Sequence, residues 1–217
     1  MPDPAENAAV VDLLGLHSFI QLAAFTRFTK DAQHAPDLPG QVTLSRMAAG
    51  ELAHLDQLER LVTDLGGDFY TSMGSYAALL GDFDQRTAPG SWWERLMRTY
   101  VAFGVLADLQ RALSTRLDAT TGAAVEATLA DSGHGDFVVA ALEPVIAAEP
   151  QLAARLALWG RRVGGEALGI AQHALAEHPL LLAHLDDDAA AGGGAAWVRN
   201  KLSTGHARRM DRLGLTA

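Results

Sequence analysis

Residues 44–65 read LSRMAAGELAHLDQLERLVTDL, and this stretch decides the fold class. Its apolar side chains recur at steps of three and four residues, which is the period of one face of an α-helix. Met47, Leu58 and Leu61 lie on that face, whereas Glu51 and His54 stand at two positions where leucine is expected. The segment therefore predicts a helix whose core face contains a carboxylate and an imidazole.

The same helical period extends over most of the 217 residues, and no segment alternates with the period of two that is typical of a β-strand. The sequence therefore predicts an all-α fold. Tandem glycines, prolines and a serine N-cap indicate where its helices begin and end. The predicted helices span about residues 6–33, 43–66, 91–116, 120–148, 150–178 and 195–213, with a short helix around 76–80.

The connection 68–90 is long enough to cross from one end of a helical bundle to the other. We expect a four-helix bundle in which helices one and two, and helices three and four, form antiparallel pairs. A fifth helix packs outside it or caps one end. The bundle occupies residues 1–185, a flexible Asp- and Gly-rich linker occupies 186–194, and a short basic helix that packs on the same domain occupies 195–217.

Composition excludes several classes of protein. The chain has no cysteine, so it has no disulfides, zinc-thiolate sites or thiol nucleophiles. Its net charge of −9 argues against a protein that coats nucleic acid broadly. No apolar run reaches the length of a membrane span without a charge, and the acidic N-terminus does not resemble a signal peptide. We expect a cytoplasmic protein with no membrane partner.

A second polar pair repeats the first one. Asp131 and His134 stand three residues apart on the predicted core face of helix four, 80 residues after Glu51 and His54. A carboxylate-x-x-histidine pair on each of two helices, with one carboxylate from each of two others, is the donor set of the dinuclear iron sites of ferritin-like bundles. Glu51, His54, Asp131 and His134 are therefore candidate metal ligands. A buried polar network without metal is the alternative.

The two single-carboxylate positions are not acidic. Gln21 precedes Glu51 by 30 residues, and Phe103 precedes Asp131 by 28. Both are expected to line the pocket, Gln21 as a core amide or a weak ligand and Phe103 as core filling or a plug in the second metal pocket. Two divalent ions bring four positive charges, against two negative charges from Glu51 and Asp131, which is unfavourable in a low-dielectric core. The expected iron content is one ion, two ions or none.

Two other residues are candidates near the site. Glu166 lies on the core face of helix five and is either an added ligand or the partner of a cation such as Arg161 or Arg162. His17, one turn before Gln21, is expected to line the pocket as a ligand or as a hydrogen-bonded core histidine.

Taken together, six segments resemble the bacterial ferritin-like proteins grouped with the hydroxylases that act on 2-methylthio-N6-isopentenyladenosine in tRNA. The likeness covers most of the chain, and no single segment is specific. The segments are VVDLLGL (10–16), MAAGELAH (47–54), LADSGH (129–134), RLALWGRR (155–162), GEAL (165–168) and HARRM (206–210).

This resemblance implies a ferritin-like four-helix bundle with a non-haem di-iron site, oxygen-dependent hydroxylation and an electron-donating reductase. Glu51, His54, Asp131 and His134 match the ligand positions of the family, whose members have acids where this chain has Gln21 and Phe103. The catalytic residues remain unidentified. We expect either a hydroxylase with a depleted metal site or a non-catalytic binding or structural module; iron storage is a weaker alternative.

The last helix is basic. Arg199, Lys201, Arg208 and Arg209 are the residues expected to contact tRNA, the alternative being a solvated helix face. A homodimer is left open by the sequence.

Overall fold

The computed structural model describes residues 4–130, 133–185 and 193–217, and within these residues the protein is helical with no strand. This confirms the predicted all-α class. We number the α-helices in chain order; a 3-10 helix at Pro179–His184 precedes the last of them. The helices are α1 Pro4–Ala32, α2 Leu38–Asp64, α3 Phe69–Gly74, α4 Phe83–Arg86, α5 Trp92–Leu113, α6 Ala119–Thr128, α7 His134–Ala148, α8 Pro150–Glu177 and α9 Ala195–Arg212.

Local sequence explains where the main helices begin. Asp37 caps α2 by accepting a hydrogen bond from the Gly40 amide at 2.8 Å, and Ser91 caps α5 in the same way through the Glu94 amide at 3.2 Å. Each cap satisfies an amide that has no partner within its helix. The long connection between α2 and α5 contains α3 and α4, so the predicted crossover is present. The short helix expected at 76–80 is absent, and that segment forms turns.

The predicted fourth helix, 120–148, is wrong as one element. It is two helices, because α6 ends at Thr128 and α7 begins at His134. Gly133 has a φ of +80°, a left-handed conformation that an α-helix cannot continue through. His134 is therefore the first residue of a new helix and not part of α6. Asp131 itself lies outside the described residues.

Helix pairing also differs from the prediction. α1 and α2 pack along their length, as expected for helices joined by a short loop. α5, however, packs most extensively on α8 rather than on α6 or α7, and α9 packs on both α5 and α8. α8 is therefore a core helix of the bundle, and Leu156, Val163 and Ala167 on it are fully buried.

α1 is the one described helix long and apolar enough to cross a membrane. Leu13, Leu14 and Leu16 on α1 are fully buried against the other helices. The apolar character of α1 is therefore explained by its position in the bundle core.

Candidate functional site

A cavity of about 270 Å³ lies among α1, α2, α5 and the facing ends of α6, α7 and α9, and we call it the central cavity. Four of the residues that the sequence singles out for the metal site and its pocket line it: Gln21, Glu51, Phe103 and His134. They come from four different helices, so it is the packing of the bundle that brings them together. His54, His17 and Glu166 are not among its lining residues.

Glu51 is the buried carboxyl group of the central cavity. It is 8% exposed, and burial raises the pKa of its carboxyl group to about 7. Its polar contact with His54 is a long one, 3.5 Å from Oε2 to Nδ1. Burial also lowers the pKa of His54, which is half-buried. Among the described residues burial is the cause that acts on this carboxyl group, and the neutral acid is favoured well above the pH at which a free glutamate ionises.

His134 is the first residue of α7 and is buried at the cavity wall. Its ring stacks on Phe28 of α1, with centroids 4.6 Å apart and an interplanar angle of 27°. Phe28 also contacts Phe103 of α5, with centroids 6.2 Å apart. Phe28 thus contacts both the imidazole of His134 and the ring of Phe103.

Gln21 holds two helices together. Its Nε2 donates a hydrogen bond of 2.9 Å to the carbonyl oxygen of Thr128 at the end of α6, and the side chain is buried. The amide –NH₂ group is suited to this contact, whereas a carboxylate would face the carbonyl oxygen without a proton to donate. Gln21 is thus a hydrogen-bonded core amide that lines the cavity.

The expectation that His17 lines the pocket is wrong. His17 is fully buried between α1 and α5, where Gln110 Nε2 donates to its Nδ1 at 3.0 Å and Ser114 Oγ lies 3.3 Å from its Nε2. Burial, followed by the nearby His184, lowers the pKa of the His17 imidazole to about 3. His17 is therefore a neutral, hydrogen-bonded core histidine.

Glu166 is engaged away from the central cavity. Its Oε2 lies 2.9 Å from Nε of Arg86, so the cation that pairs with it is neither Arg161 nor Arg162. This ion pair is partly exposed and joins α8 to α4. Glu166 does not supply the missing carboxylate of the cavity.

The described residues do not fit a dinuclear iron centre. Around the cavity they offer Glu51, with the imidazoles of His134 and, next to Glu51, His54. The second carboxylate of the lining, Asp108, is held in an ion pair with Arg209. Nowhere in residues 4–130, 133–185 and 193–217 do three or more His, Asp or Glu side chains come together as a metal site. An aromatic ring, Phe103, and an amide whose nitrogen binds Thr128 stand at the single-carboxylate positions. Asp131, the second expected carboxylate, lies outside the described residues.

A wall that contains three arginines, each paired with an acidic side chain, closes the cavity on the side of α9. Arg111, Arg209 and Arg212 line it together with Asp108, which accepts a hydrogen bond of 2.6 Å from Arg209 Nη2. The sequence interpretation missed this wall, because Asp108 and Arg111 point away from the face of α5 that packs on the bundle core. The signal that could have found it is the basic run 208–212, if α9 had been placed against α5.

The four cations expected to contact tRNA do not form one surface. Lys201 and Arg208 line a cleft between α5 and α9, whereas Arg209 is mostly buried in its ion pair with Asp108. Arg199 lines an apolar groove between α8 and α9 instead.

An all-α bundle with a long crossover and a polar cavity between its helices is the architecture of ferritin-like proteins. The family model described as "Ferritin-like domain, actinomycetes" matches residues 4–187, and the chain belongs to this family. No curated protein matches the chain.

Proposed function

We propose that this protein is a ferritin-like binding module whose central cavity takes at most one divalent metal ion and does not assemble a dinuclear iron centre. The observation that carries the proposal is the position of Phe103, whose ring lines the same cavity as Glu51 and His134. A phenyl ring supplies no donor atom and fills space that the ligands of a second ion would need.

Charge supports the same conclusion. Two divalent ions about 3.5–4 Å apart require several bridging or terminal carboxylates to neutralise them. Among the described residues Glu51 is the carboxylate that Gln21, Phe103 and His134 surround, and the nearby wall already contains three arginines. Two divalent ions would bring four positive charges to a lining whose other carboxylate, Asp108, is already paired with Arg209, which is unfavourable in a partly enclosed cavity.

A metal-dependent hydroxylase related to the tRNA hydroxylases is the second candidate. What favours it is that Glu51 and His134, two of the positions that the family resemblance assigns to metal ligands, line one cavity, with His54 next to Glu51. tRNA as substrate, a reductase as electron donor and a cytoplasmic location belong to this candidate and are expectations from the sequence. Neither candidate requires a membrane partner.

Anaerobic titration with ferrous ion, followed by calorimetry, separates the two candidates. The binding module is expected to take one ion or none per chain. If one ion binds, Glu51→Gln abolishes its binding, whereas the matched control Glu166→Gln, which changes a carboxylate in the Arg86 ion pair, leaves it intact.

Two tightly bound ions per chain, followed by an oxo-bridged di-iron absorption on exposure to air, would overturn the proposal in favour of the hydroxylase. Binding of one ion that survives Glu51→Gln would also overturn it, because the ion would then lie outside the central cavity.

A further inference from the structure

A cleft of about 620 Å³ between α5 and α9, which we call the outer cleft, is separate from the proposed metal site. Asp108 and Arg111 form a wall that it shares with the central cavity. Its remaining lining comes from polar and cationic side chains, from Trp197 and from the small residues Ala112 and Gly205. A cleft of this size accommodates a small organic molecule.

We propose that the outer cleft binds a small phosphate-bearing molecule. Arg111, Lys201 and Arg208 converge on the cleft from two helices. Lys201 and Arg208 have no acidic partner within 4.0 Å among the described residues, so their charges are available to a ligand. Guanidinium and ammonium groups together are a donor set that suits phosphate oxygens.

The acidic side chain of the cleft is already neutralised. Asp108 is the carboxylate among the described lining residues, and Arg209 Nη2 lies 2.6 Å from its Oδ2. This ion pair fits between the helices because Gly205 of α9 and Gly104 of α5 have no side chains: a Cβ on Gly104 would lie 2.5 Å from Arg209 Nε, and one on Gly205 would collide with Asp108. The pair therefore removes the repulsion that a free carboxylate would exert on an anion.

The charge of the outer cleft is opposite to the net charge of the whole chain. The whole chain has a net charge of −9, whereas the outer cleft is lined by Lys201 and Arg208, by Arg111, which lies 3.8 Å from Glu126, and by one paired carboxylate. A concave positive site on an acidic protein attracts a small anion locally and gives little affinity for a long polyanion that must also cover acidic surface. This contrast favours a small phosphorylated ligand over a nucleic acid.

Trp197 adds a face for the non-phosphate part of the ligand. It is half-buried, lines the cleft and has Lys201 Nζ 5.0 Å from its ring centroid. An indole face beside a cation suits a planar ring that bears a phosphate, since stacking and charge pairing then act on the same molecule.

Calorimetric titration of the full chain with ADP, and separately with inorganic phosphate, tests the proposal. ADP is expected to bind more tightly than phosphate, and the Kd of both to rise with salt. The double variant K201A/R208A is expected to raise the Kd for ADP by about tenfold or more, because two charge-assisted contacts are lost. Both side chains are exposed, so the fold is retained.

The matched control is R155A/R199A, which removes the same charge from exposed positions outside the cleft. It is expected to change the Kd by less than about twofold, in line with screened long-range charge effects. W197F is expected to raise the Kd for ADP and to leave that for phosphate unchanged.

Three results would overturn the proposal. Equal effects of the two double variants on the Kd would show that binding depends on the overall charge of the protein and not on the cleft. Absence of ADP and phosphate binding at millimolar concentration would leave the cleft without its ligand. Binding of a short single-stranded RNA, but not of ADP, that depends on Lys201 and Arg208 would make the cleft a nucleic-acid surface. None of these results bears on iron stoichiometry, so this inference and the proposed function fail separately.

Discussion

His17 and Glu51 are both ionisable side chains inside the bundle, and they differ in what surrounds them. Both ring nitrogens of His17 have partners, Gln110 at 3.0 Å and Ser114 at 3.3 Å. Glu51 has one long contact, 3.5 Å to His54, and otherwise faces the central cavity.

The comparison separates a structural polar group from a functional one. A buried group whose hydrogen bonds are complete stabilises the helix packing around it and has no free donor or acceptor for a ligand. A buried carboxyl group beside a cavity has an incomplete set of partners, and a ligand or an ion can complete it. The sequence presents both residues in the same way, as polar side chains on an apolar helix face. The three predictions that follow test this distinction.

The largest expected effect is that of His17→Ala. The change leaves Gln110 unsatisfied and opens a cavity between α1 and α5, so the free energy of unfolding should fall by about 3 kcal/mol. Glu51→Gln at about pH 5, where the folded carboxyl group is neutral, should change it by less than about 1 kcal/mol. Urea unfolding followed by circular dichroism measures both, with the exposed His173→Ala as control. Equal losses of free energy of unfolding from His17→Ala and Glu51→Gln would contradict the distinction between a structural and a functional polar group.

The second prediction uses the raised pKa of Glu51. Burial takes the pKa from 4.5 to about 7, so the folded chain binds a proton that the unfolded chain has released. The stability contribution of Glu51 is therefore fully present below pH 4.5 and is lost as the pH rises through 7. Between about pH 5 and 7.5 the free energy of unfolding of the wild type should fall by on the order of 2 kcal/mol relative to that of Glu51→Gln.

The control for this pH series is Glu166→Gln, whose carboxylate pairs with Arg86 near the surface. The difference in free energy of unfolding between the wild type and this variant should not change by a similar amount over the same pH range. If the difference in free energy of unfolding between the wild type and Glu51→Gln did not change with pH, the Glu51 carboxylate would have a compensating partner.

The third prediction has the opposite sign. The pKa of His17 falls from 6.5 to about 3, so the contribution of His17 is present above pH 6.5 and is lost as the pH falls towards 3. Relative to His17→Gln, the wild type should lose about 2 kcal/mol between about pH 7 and 5. Unfolding curves at the two pH values check this. If the free energy of unfolding of the wild type instead rose relative to that of His17→Gln as the pH falls, the imidazole would be protonated in the folded state.

Much of the fold follows from helical periodicity, and part of the site follows with it. Glu51, His134, Gln21 and Phe103 meet at one cavity because each lies on an apolar helix face. The break between α6 and α7 could not be predicted, since the apolar period continues on both sides, whereas α6 ends at Thr128 and Gly133 before α7 has a positive φ.

Pairing between helices was harder to predict than the helices themselves. α8 has one strongly apolar face, which fits the outside of a bundle as well as its centre, and the choice depends on the packing of α5. Glu166 lies next to that face and turns to Arg86 of α4, a residue of the crossover whose position no periodicity gives. The arginine wall was missed for the same reason, because α9 could be placed only by tertiary packing.

The most direct test of the central claim compares ferrous binding by the wild type and by the double variant Gln21→Glu/Phe103→Asp in anaerobic titrations. We propose that the missing carboxylates at these two positions keep a second ion out, so the wild type should bind at most one ion and the folded double variant should approach two. Phe103→Asp alone, which preserves the Gln21–Thr128 hydrogen bond, should give an intermediate gain. Two tightly bound ions in the wild type, or no gain in a folded double variant, would contradict the account.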